Sequence, residues 1–340
     1  METKEILKKL CTECGISGRE KEMLDIVREL LEDTGAEISL LPTGTVLARM
    51  GNKNAGYHIM LDAHMDRIGL IVTYIDEKGF LAASPVGGVD LRALAGSAVV
   101  VRGKEDITGV VCTLPPHLSK DSGLTRDNIH IDTGLDPEEV KKLVSPGDSV
   151  IVMSKFREMA GNAVAVSALD NRAGCAVLIR CAELLCDLPE NIRVTLVFSS
   201  QEETNESGAR TAAYELLPDE AVVVDVGFAK QDGVPAGVSG KMGGGPIITI
   251  SPVLSRAVTK GLEEAAAGLE IHIDHEVSGG RTGTNADGVS ITGKGIPCGL
   301  ISVPEKNMHT QAEMVCVEDI NRTAEIIAAY IRKKGEPVNG

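Results

Sequence analysis

The spacing of hydrophobic and polar residues divides the chain into three stretches. Residues 1–67 and 161–340 alternate between strand-like apolar runs and helical patterns, whereas residues 68–160 hold short β-rich runs separated by Gly and Pro turns. The pattern therefore predicts one α/β domain, made of residues 1–67 and 161–340, with a small all-β insertion at residues 68–160.

The first stretch predicts a helix and a buried strand that ends in polar residues. Ser17 and Glu20 have the spacing of a capping box, which predicts a helix from there to about Leu31. The apolar run 57–61 predicts a strand that leads directly into Asp62-Ala-His64-Met-Asp66.

The middle stretch predicts strands almost throughout. Only one short helical pattern, residues 137–143, interrupts it. The predicted strands are 71–74, 98–101, 110–113 and 149–153.

Helices and strands alternate again after Gly161. The predicted helices are 171–185, 254–267 and 318–334, and the predicted strands are 193–199, 221–224, 247–250, 270–275 and 298–303. This alternation predicts a mixed or parallel sheet that helices cover on both faces.

The amino-acid composition excludes several classes of function. The 340 residues are 43% hydrophobic, enough for a sizeable core, and carry a formal charge of −15. That charge has the wrong sign for binding nucleic acid or an anionic membrane, and 2% aromatic residues with no Trp leave little to stack on sugars or bases. We therefore expect neither nucleic acid nor a membrane as a partner.

The expected location is the cytoplasm. The N-terminal segment is charged and lacks the apolar core of a signal peptide, and no apolar run reaches the ~18–20 residues that span a bilayer. The eight Cys include one C-x-x-C pair, Cys11 and Cys14, with no second pair at zinc-ribbon spacing. Reduced thiols are the simplest interpretation.

Four groups of polar residues fall where predicted strands end or a helix begins. They are His64 with Asp66, Asp170, Glu202 and Glu203 with Asp225, and His309. Open α/β sheets bind ligands at the carboxyl ends of their strands, so the fold could gather these groups. Singly, each also has an ordinary structural explanation, such as a helix N-cap for Asp170 or a solvated loop for the adjacent glutamates.

Taken together, the groups have the chemistry of a two-metal site. Two His and several carboxylates can hold two divalent ions that share a carboxylate, about 3.5–4 Å apart. Nitrogen and oxygen ligands without thiolates favour Zn, Co or Mn at a catalytic site. A glutamate next to a ligand glutamate is well placed to take a proton from the attacking water. Alternation along the strand lets Asp66 orient His64.

The chain resembles the tetrahedral-aminopeptidase or glutamyl-aminopeptidase family of di-metal exopeptidases, metallopeptidase family forty-two. The resemblance covers nearly the whole length and rests on motifs in family order: SGRE, AHMDRIG, ALDNRAG, SSQEE, VVVDVG, GGGP, RTGTNAD and NMHT. It implies a mixed-sheet α/β/α di-metal exopeptidase domain. For the insertion it implies a PDZ-like dimerisation domain, used to build dimers and then hollow dodecamers.

The resemblance also implies a metal-dependent aminopeptidase that removes N-terminal residues from short peptides. It assigns His64, Asp170 and Asp225 to one divalent ion. It assigns Glu203 and His309 to a second divalent ion, with Asp170 as the ligand that bridges the two ions. The ions would be Zn, Co or Mn. Glu202 is then the general base for the attacking water, and Asp66 holds His64 in orientation.

The chain departs from the family pattern around this implied site. Arg67 stands where the family commonly has Glu, Asn285 where it often has Asp, and segments 204–207 and 227–228 also differ. None of these departures removes an implied ligand or the base. The preferred N-terminal residue stays open; a preference for acidic residues would need a basic pocket, which Arg281 could supply.

Other functions remain open on the residues alone. A related di-metal carboxypeptidase or N-deacylase usually inserts an α+β lid or dimerisation domain rather than an all-β one. Loss of Glu202 or of a ligand would favour a non-catalytic assembly protein, and all of them are present. A glycosidase needs two opposed carboxylates and a sugar-stacking surface, and the absence of Trp counts against it.

Overall fold

Seventeen strands and ten α-helices make up the part of the chain that the computed structural model describes, residues 1–115, 117–118 and 124–336. The strands are β1 (Glu37–Leu40), β2 (Val46–Gly51), β3 (Tyr57–His64), β4 (Gly69–Ile75), β5 (Leu81–Val86), β6 (Ala98–Arg102), β7 (Asp106–Val111), β8 (Ile129–Asp132), β9 (Ser149–Val152), β10 (Arg157–Met159), β11 (Ala163–Val166), β12 (Ile192–Ser199), β13 (Glu220–Phe228), β14 (Ile247–Ile250), β15 (Asp274–Val277), β16 (Cys298–Lys306) and β17 (Glu313–Cys316). The helices are α1 (Thr3–Thr12), α2 (Met23–Leu31), α3 (Leu91–Leu94), α4 (Pro137–Leu143), α5 (Leu169–Leu184), α6 (Glu202–Asn205), α7 (Ser207–Leu216), α8 (Arg256–Gly268), α9 (Asn285–Ser290) and α10 (Val317–Gly335).

Eleven strands form one mixed sheet. Its order is β1-β2-β12-β3-β13-β16-β17-β11-β10, with β14 paired to β16 and β15 paired to β14. The central strands β12, β3, β13 and β16 run parallel to one another. They are almost entirely buried, as parallel strands covered on both faces must be. The predicted mixed α/β fold is confirmed.

Helices cover both faces of this sheet. The larger apolar cluster packs α1, α2, α5, α8 and α10 against one face, and a smaller cluster packs α7 and α9 against the other. In the described part of the chain, no helix is both long enough and apolar enough to cross a membrane.

The middle of the chain forms a closed barrel of six antiparallel strands, in the order β4-β5-β8-β7-β6-β9. Its own apolar cluster, which includes Leu70, Val99 and Ile131, fills the interior. A strand-rich insertion is therefore present, with α4 as its longest helix among the described residues. Strand β10, which lies inside the predicted insertion, pairs with β11 in the large sheet.

The predicted capping box is wrong. The Ser17 hydroxyl donates to the Asp66 carboxylate, and Glu20 accepts from the backbone N–H groups of Gly18 and Gln201 at 2.7 and 3.1 Å. Both side chains therefore serve contacts with distant segments. The regular helix α2 begins only after a 3₁₀ turn.

The predicted strand 270–275 is displaced toward the C-terminus. Strand β15 covers Asp274–Val277, since Glu270 has a left-handed φ of 57° that interrupts an extended chain.

The fully buried guanidinium of Arg172 joins three segments of the fold. It donates to the backbone carbonyls of Leu10, Glu13, Cys14 and Met65, at 2.6 to 3.3 Å. A buried charge is tolerated only when hydrogen bonds satisfy it, and these four acceptors do so. The start of α5 is thereby fixed against the end of β3.

His58 makes the stability of the fold sensitive to acid. The residue is buried, with Nε2 2.9 Å from Thr195 Oγ1, and burial together with Arg193 lowers its pKa from 6.5 to about 4. The folded state therefore disfavours the protonated imidazole. This contribution to stability is present above pH 6.5 and is lost as the pH falls toward 4.

We expect the free energy of unfolding to fall by about 2 kcal/mol between pH 7 and pH 5 on account of His58. Urea unfolding of the chelator-treated protein at several pH values, compared with His58→Gln, measures the difference. The variant should lose less stability over this interval; parallel curves for the two proteins would contradict the assignment.

Candidate active site

The structure brings the predicted site residues together at the carboxyl edge of the parallel strands. His64 ends β3 beside Ser199, the last residue of β12, and Asp225 lies toward the end of β13. One cavity of about 420 Å³ is lined by the two histidines and four of the carboxylates: His64, Asp170, Glu202, Glu203, Asp225 and His309. Asp66 lies directly behind His64, outside the cavity.

Asp170 lies between two imidazoles. Its Oδ1 is 3.2 Å from Nε2 of His64, and its Oδ2 is 3.1 Å from Nε2 of His309. Asp225 Oδ1 is 3.7 Å from the first imidazole, and Glu203 Oε1 is 3.4 Å from the second. Two groups of donor atoms thus share Asp170, and within each group the atoms lie within 4.8 Å of one another.

These separations are those of atoms that bind a common metal ion. Two ligands that each lie ~2.1 Å from a tetrahedral ion are about 3.4 Å apart. Glu203 Oε1 is buried and accepts no hydrogen bond from the described residues, so a cation would supply the partner that it lacks there. Imidazole nitrogen with carboxylate oxygen is a donor set for Zn, Co or Mn. Each group could therefore hold a divalent cation.

Hydrogen bonds at Nδ1 fix both imidazoles in the orientation that cation binding needs. His64 Nδ1 is 3.1 Å from the backbone oxygen of Asp66, and His309 Nδ1 is 2.9 Å from the backbone oxygen of Gly88. A carbonyl oxygen can only accept, so each Nδ1 carries a proton, and Nε2 is the nitrogen that offers a lone pair to a cation once the imidazole is neutral. Gly88 follows β5, so the barrel segment orients one of the two histidines.

Asp66 also positions the adjacent glutamates. It accepts hydrogen bonds from the backbone N–H groups of Glu202 and Glu203, at 3.0 and 3.2 Å. Ser17 donates to the same carboxylate, and Glu20 accepts the N–H of the residue before Glu202. The SGRE segment therefore holds the loop that carries both glutamates.

Several residues beside the site adopt left-handed backbone conformations that side chains rarely take, and three of them adjoin or supply the candidate ligands and base. The φ angles are 67° at Ala168, 59° at Gln201 and 62° at His309. Each such residue costs roughly 1–3 kcal/mol and persists only where the surroundings hold it. The contacts of Glu20 and Gly88 described above hold two of the three.

Burial makes negative charge in this cavity costly. Burial, with neighbouring carboxylates adding to it and His64 opposing it, raises the pKa of Glu202 to about 9 and that of Asp225 to about 8. Burial works against the charged form of His64, but Glu202, Asp170 and Asp66 hold its pKa well above the ordinary value. The protein thus leaves its carboxylates short of positive charge, which a bound cation would supply.

Two further buried carboxylates lie behind Asp170, and sequence reasoning missed both. Glu313 accepts the Asp170 N–H at 3.3 Å; burial raises its pKa to about 8, with Arg67 opposing. Neither oxygen of Glu305 has a hydrogen-bond partner in the part of the chain that the structure describes, and burial together with Glu313 raises its pKa well above the usual range. Glu305 lies two residues beyond the predicted strand 298–303, and only the observed extension of β16 to Lys306 places it inside the sheet.

The departures from the family pattern have structural partners. The buried guanidinium of Arg67 donates to Ser167 Oγ at 2.9 Å and lies close enough to Glu313 to oppose the rise in its pKa. Asn285 donates to Asp62 Oδ2 at 2.8 Å, where a second carboxylate would repel the first. Segments 204–207 and 227–228 contribute to the cavity wall.

The chain is similar to known aminopeptidases over nearly its full length. A family model described as M42 glutamyl aminopeptidase matches residues 44–326. The lysyl aminopeptidase of Pyrococcus furiosus is 30% identical over 338 residues, covering 97% of this chain and 96% of the relative.

Solved structures agree with the sequence match. An aminopeptidase from the archaeon Desulfurococcus kamchatkensis superposes with a TM-score of 0.90 at 30% identity, covering 97% of this chain and 94% of that one. The TET1 peptidase of Pyrococcus horikoshii superposes with a TM-score of 0.84 at 30% identity, covering 96% of this chain and 98% of that one. It is described as able to assemble into a tetrahedron or a large octahedral shell.

We expect Gly88→Ala to weaken cation binding at the His309 group. An added Cβ would lie 2.8 Å from Cε1 and Nδ1 of His309, so the imidazole must move, while Gly88 has no left-handed φ that alanine would strain. Losing the orientation of a ligand typically costs 10–100-fold in affinity. Zinc titration by calorimetry should show one weakened site beside one unchanged. Gly56→Ala, at a glycine whose added Cβ meets nothing within 4 Å, is the control; equal affinities in all three proteins would contradict the role of Gly88.

Proposed function

The chain belongs to the M42 glutamyl aminopeptidase family and is a peptide hydrolase, and on this premise we propose that it removes N-terminal residues from short peptides with two divalent cations. The names of its relatives leave the preferred residue open, since the family model is described as glutamyl and one relative as lysyl.

One observation carries the proposal. Two groups of donor atoms share the Asp170 carboxylate, and Glu202 belongs to neither while lying beside both. Its Oε2 is 3.8 Å from His64 Nε2, and its backbone is held by Asp66. A carboxylate so placed, next to a ligand but free of it, is available for proton transfer.

The proposed ligands are His64, Asp170 and Asp225 for one cation and Asp170, Glu203 and His309 for the other. Cations bound there would polarise the scissile carbonyl and lower the pKa of the attacking water. Glu202 acts as the general base: a carboxylate oxygen accepts the proton of the water and returns it to the departing amine. Asp66 keeps His64 in its tautomer and holds the Glu202 backbone.

The charge of the cavity favours an aminopeptidase over a carboxypeptidase. A carboxypeptidase needs a cationic side chain to hold the C-terminal carboxylate of its substrate, and among the residues that the structure describes neither Lys nor Arg lines the cavity. Six carboxylates of these residues line it instead, which suits the protonated amine at the N-terminus of a peptide.

We further infer that the barrel of β4 to β9, which makes up most of residues 68–160, is a PDZ-like assembly domain and that the chain forms homo-oligomers. Apolar side chains are exposed on and beside the barrel, including Tyr74, Val110 and Leu114 at 60, 47 and 65%. The TET1 peptidase that superposes on this chain is described as an assembly. Light scattering should give a mass several times the 35.8 kDa of one chain; a monomer at micromolar concentration would contradict assembly.

The activity is tested with fluorogenic aminoacyl substrates on chelator-treated protein, with and without added Zn or Co. We expect hydrolysis only with metal, and only of substrates with a free α-amine. Glu202→Gln should lose at least a hundredfold in kcat but bind zinc as the wild type does. Glu325→Gln makes the same change on the exposed side of α10 and should behave as wild type.

Two results would contradict this proposal. Release from N-acylated or C-terminal substrates, with none from free-amine substrates, would indicate a deacylase or a carboxypeptidase. Full turnover by Glu202→Gln would remove that residue from the role of base.

A further inference from the structure

The cavity that holds the two donor groups continues well beyond them. Besides the donor groups, its lining includes the apolar side chains of Val226, Phe228, Leu300 and Met308, together with three hydroxyl side chains, Thr282, Thr284 and Ser302. At its far side stands one carboxylate, Glu276 of β15, that belongs to neither donor group.

The register of the sheet places Glu276 on the same face as the proposed ligands. Asp225 pairs with Ser302, and Ser302 pairs with Ile247 of β14. Thr249, two residues further along β14 and so on the same face, pairs with Glu276. Three strand spacings of about 4.8 Å thus put Glu276 roughly 14 Å across the sheet from Asp225. If the backbone of a substrate lies at the proposed cations, a long side chain of that substrate fits between them and the Glu276 carboxylate.

Glu276 has no cationic partner of its own. It accepts one long hydrogen bond, 3.4 Å from Thr249 Oγ1, and in the described residues no Lys, Arg or His nitrogen lies within 4.0 Å of it. Burial raises its pKa, with only the Thr249 hydrogen bond opposing. Its carboxylate is therefore partly removed from water without being compensated.

The nearby guanidinium of Arg281 is already engaged elsewhere. It lies 2.5 Å from Glu206 and 3.2 Å from Asp287, with its side chain 73% exposed and outside the cavity wall. It therefore does not make the basic pocket that acidic substrate residues would need. Glu206, which also lines the cavity and belongs to neither donor group, is compensated by its pair with Arg281.

We propose that this part of the cavity binds the side chain of the N-terminal residue and selects lysine and arginine, with Glu276 as the residue that determines the specificity. The inference rests on the proposed function. The aliphatic part of the substrate side chain packs against Leu300, Met308 and Phe228, as long cationic side chains do, and its charged end meets the Glu276 carboxylate. Acidic residues are repelled by the same carboxylate.

Steady-state kinetics of the metal-loaded enzyme on lysyl, arginyl, leucyl, alanyl and glutamyl coumarin substrates test this. We expect kcat/KM for lysine and arginine to exceed that for leucine at least tenfold, with glutamate the poorest. Glu276→Gln should lower kcat/KM for the cationic substrates about tenfold, mainly through KM, and leave leucine and alanine within twofold. Glu276→Lys should favour the glutamyl substrate. Glu270→Gln makes the same charge change at an exposed position before β15 and should have no effect.

A binding measurement separates charge recognition from turnover. Free L-lysine should inhibit more strongly than L-norleucine, which has a similar chain without the charge, and Glu276→Gln should remove the difference. Leucine hydrolysis without a lysine preference, or a preference that survives Glu276→Gln, would overturn this inference and leave the aminopeptidase intact. If no free-amine substrate is hydrolysed, the proposed function is overturned, and this inference with it.

Discussion

The central constraint on this molecule is the concentration of carboxylates in one buried cavity. Four of them, Asp170, Glu202, Glu203 and Asp225, meet at the ends of parallel strands, and two more, Glu305 and Glu313, lie behind them. Each is costly to bury as a charge unless it is compensated. The protein supplies two imidazoles, the backbone N–H groups that donate to Asp225 and Glu313, and Arg67, which leaves room for the charge of bound cations. The same excess of negative charge is the basis of the proposal that the cavity binds positively charged substrate groups.

The barrel is part of this arrangement. The Gly88 carbonyl orients His309, and Gln311, two residues further on, donates to the Ala93 carbonyl at 3.0 Å. On the other side of the site, Arg19 donates to the Gly147 carbonyl at 3.2 Å. The loop between β16 and β17 thus takes its conformation from a segment more than 200 residues away in sequence. A barrel that served assembly alone would not need these contacts.

Local pattern was sufficient to predict the alternating strands and helices and the polar residues that follow them. His64 and Asp66 could be coupled because they lie two apart on one strand, and Glu202 and Glu203 stood out because they follow an apolar run. The roles of Ser17 and Glu20 could not be predicted, because their partners Asp66 and Gln201 come from other elements. The spacing of the two residues is also that of a helix-capping box, so the sequence alone does not distinguish the two roles. Gly88 and Glu313 carry no local signal, since their importance arises only from what the fold places against them.

The most direct test of the account is zinc anomalous diffraction from crystals of the metal-loaded protein. The account predicts two peaks about 3.5–4 Å apart, one among His64, Asp170 and Asp225 and one among Asp170, Glu203 and His309. A single peak, or peaks that do not share Asp170, would contradict it.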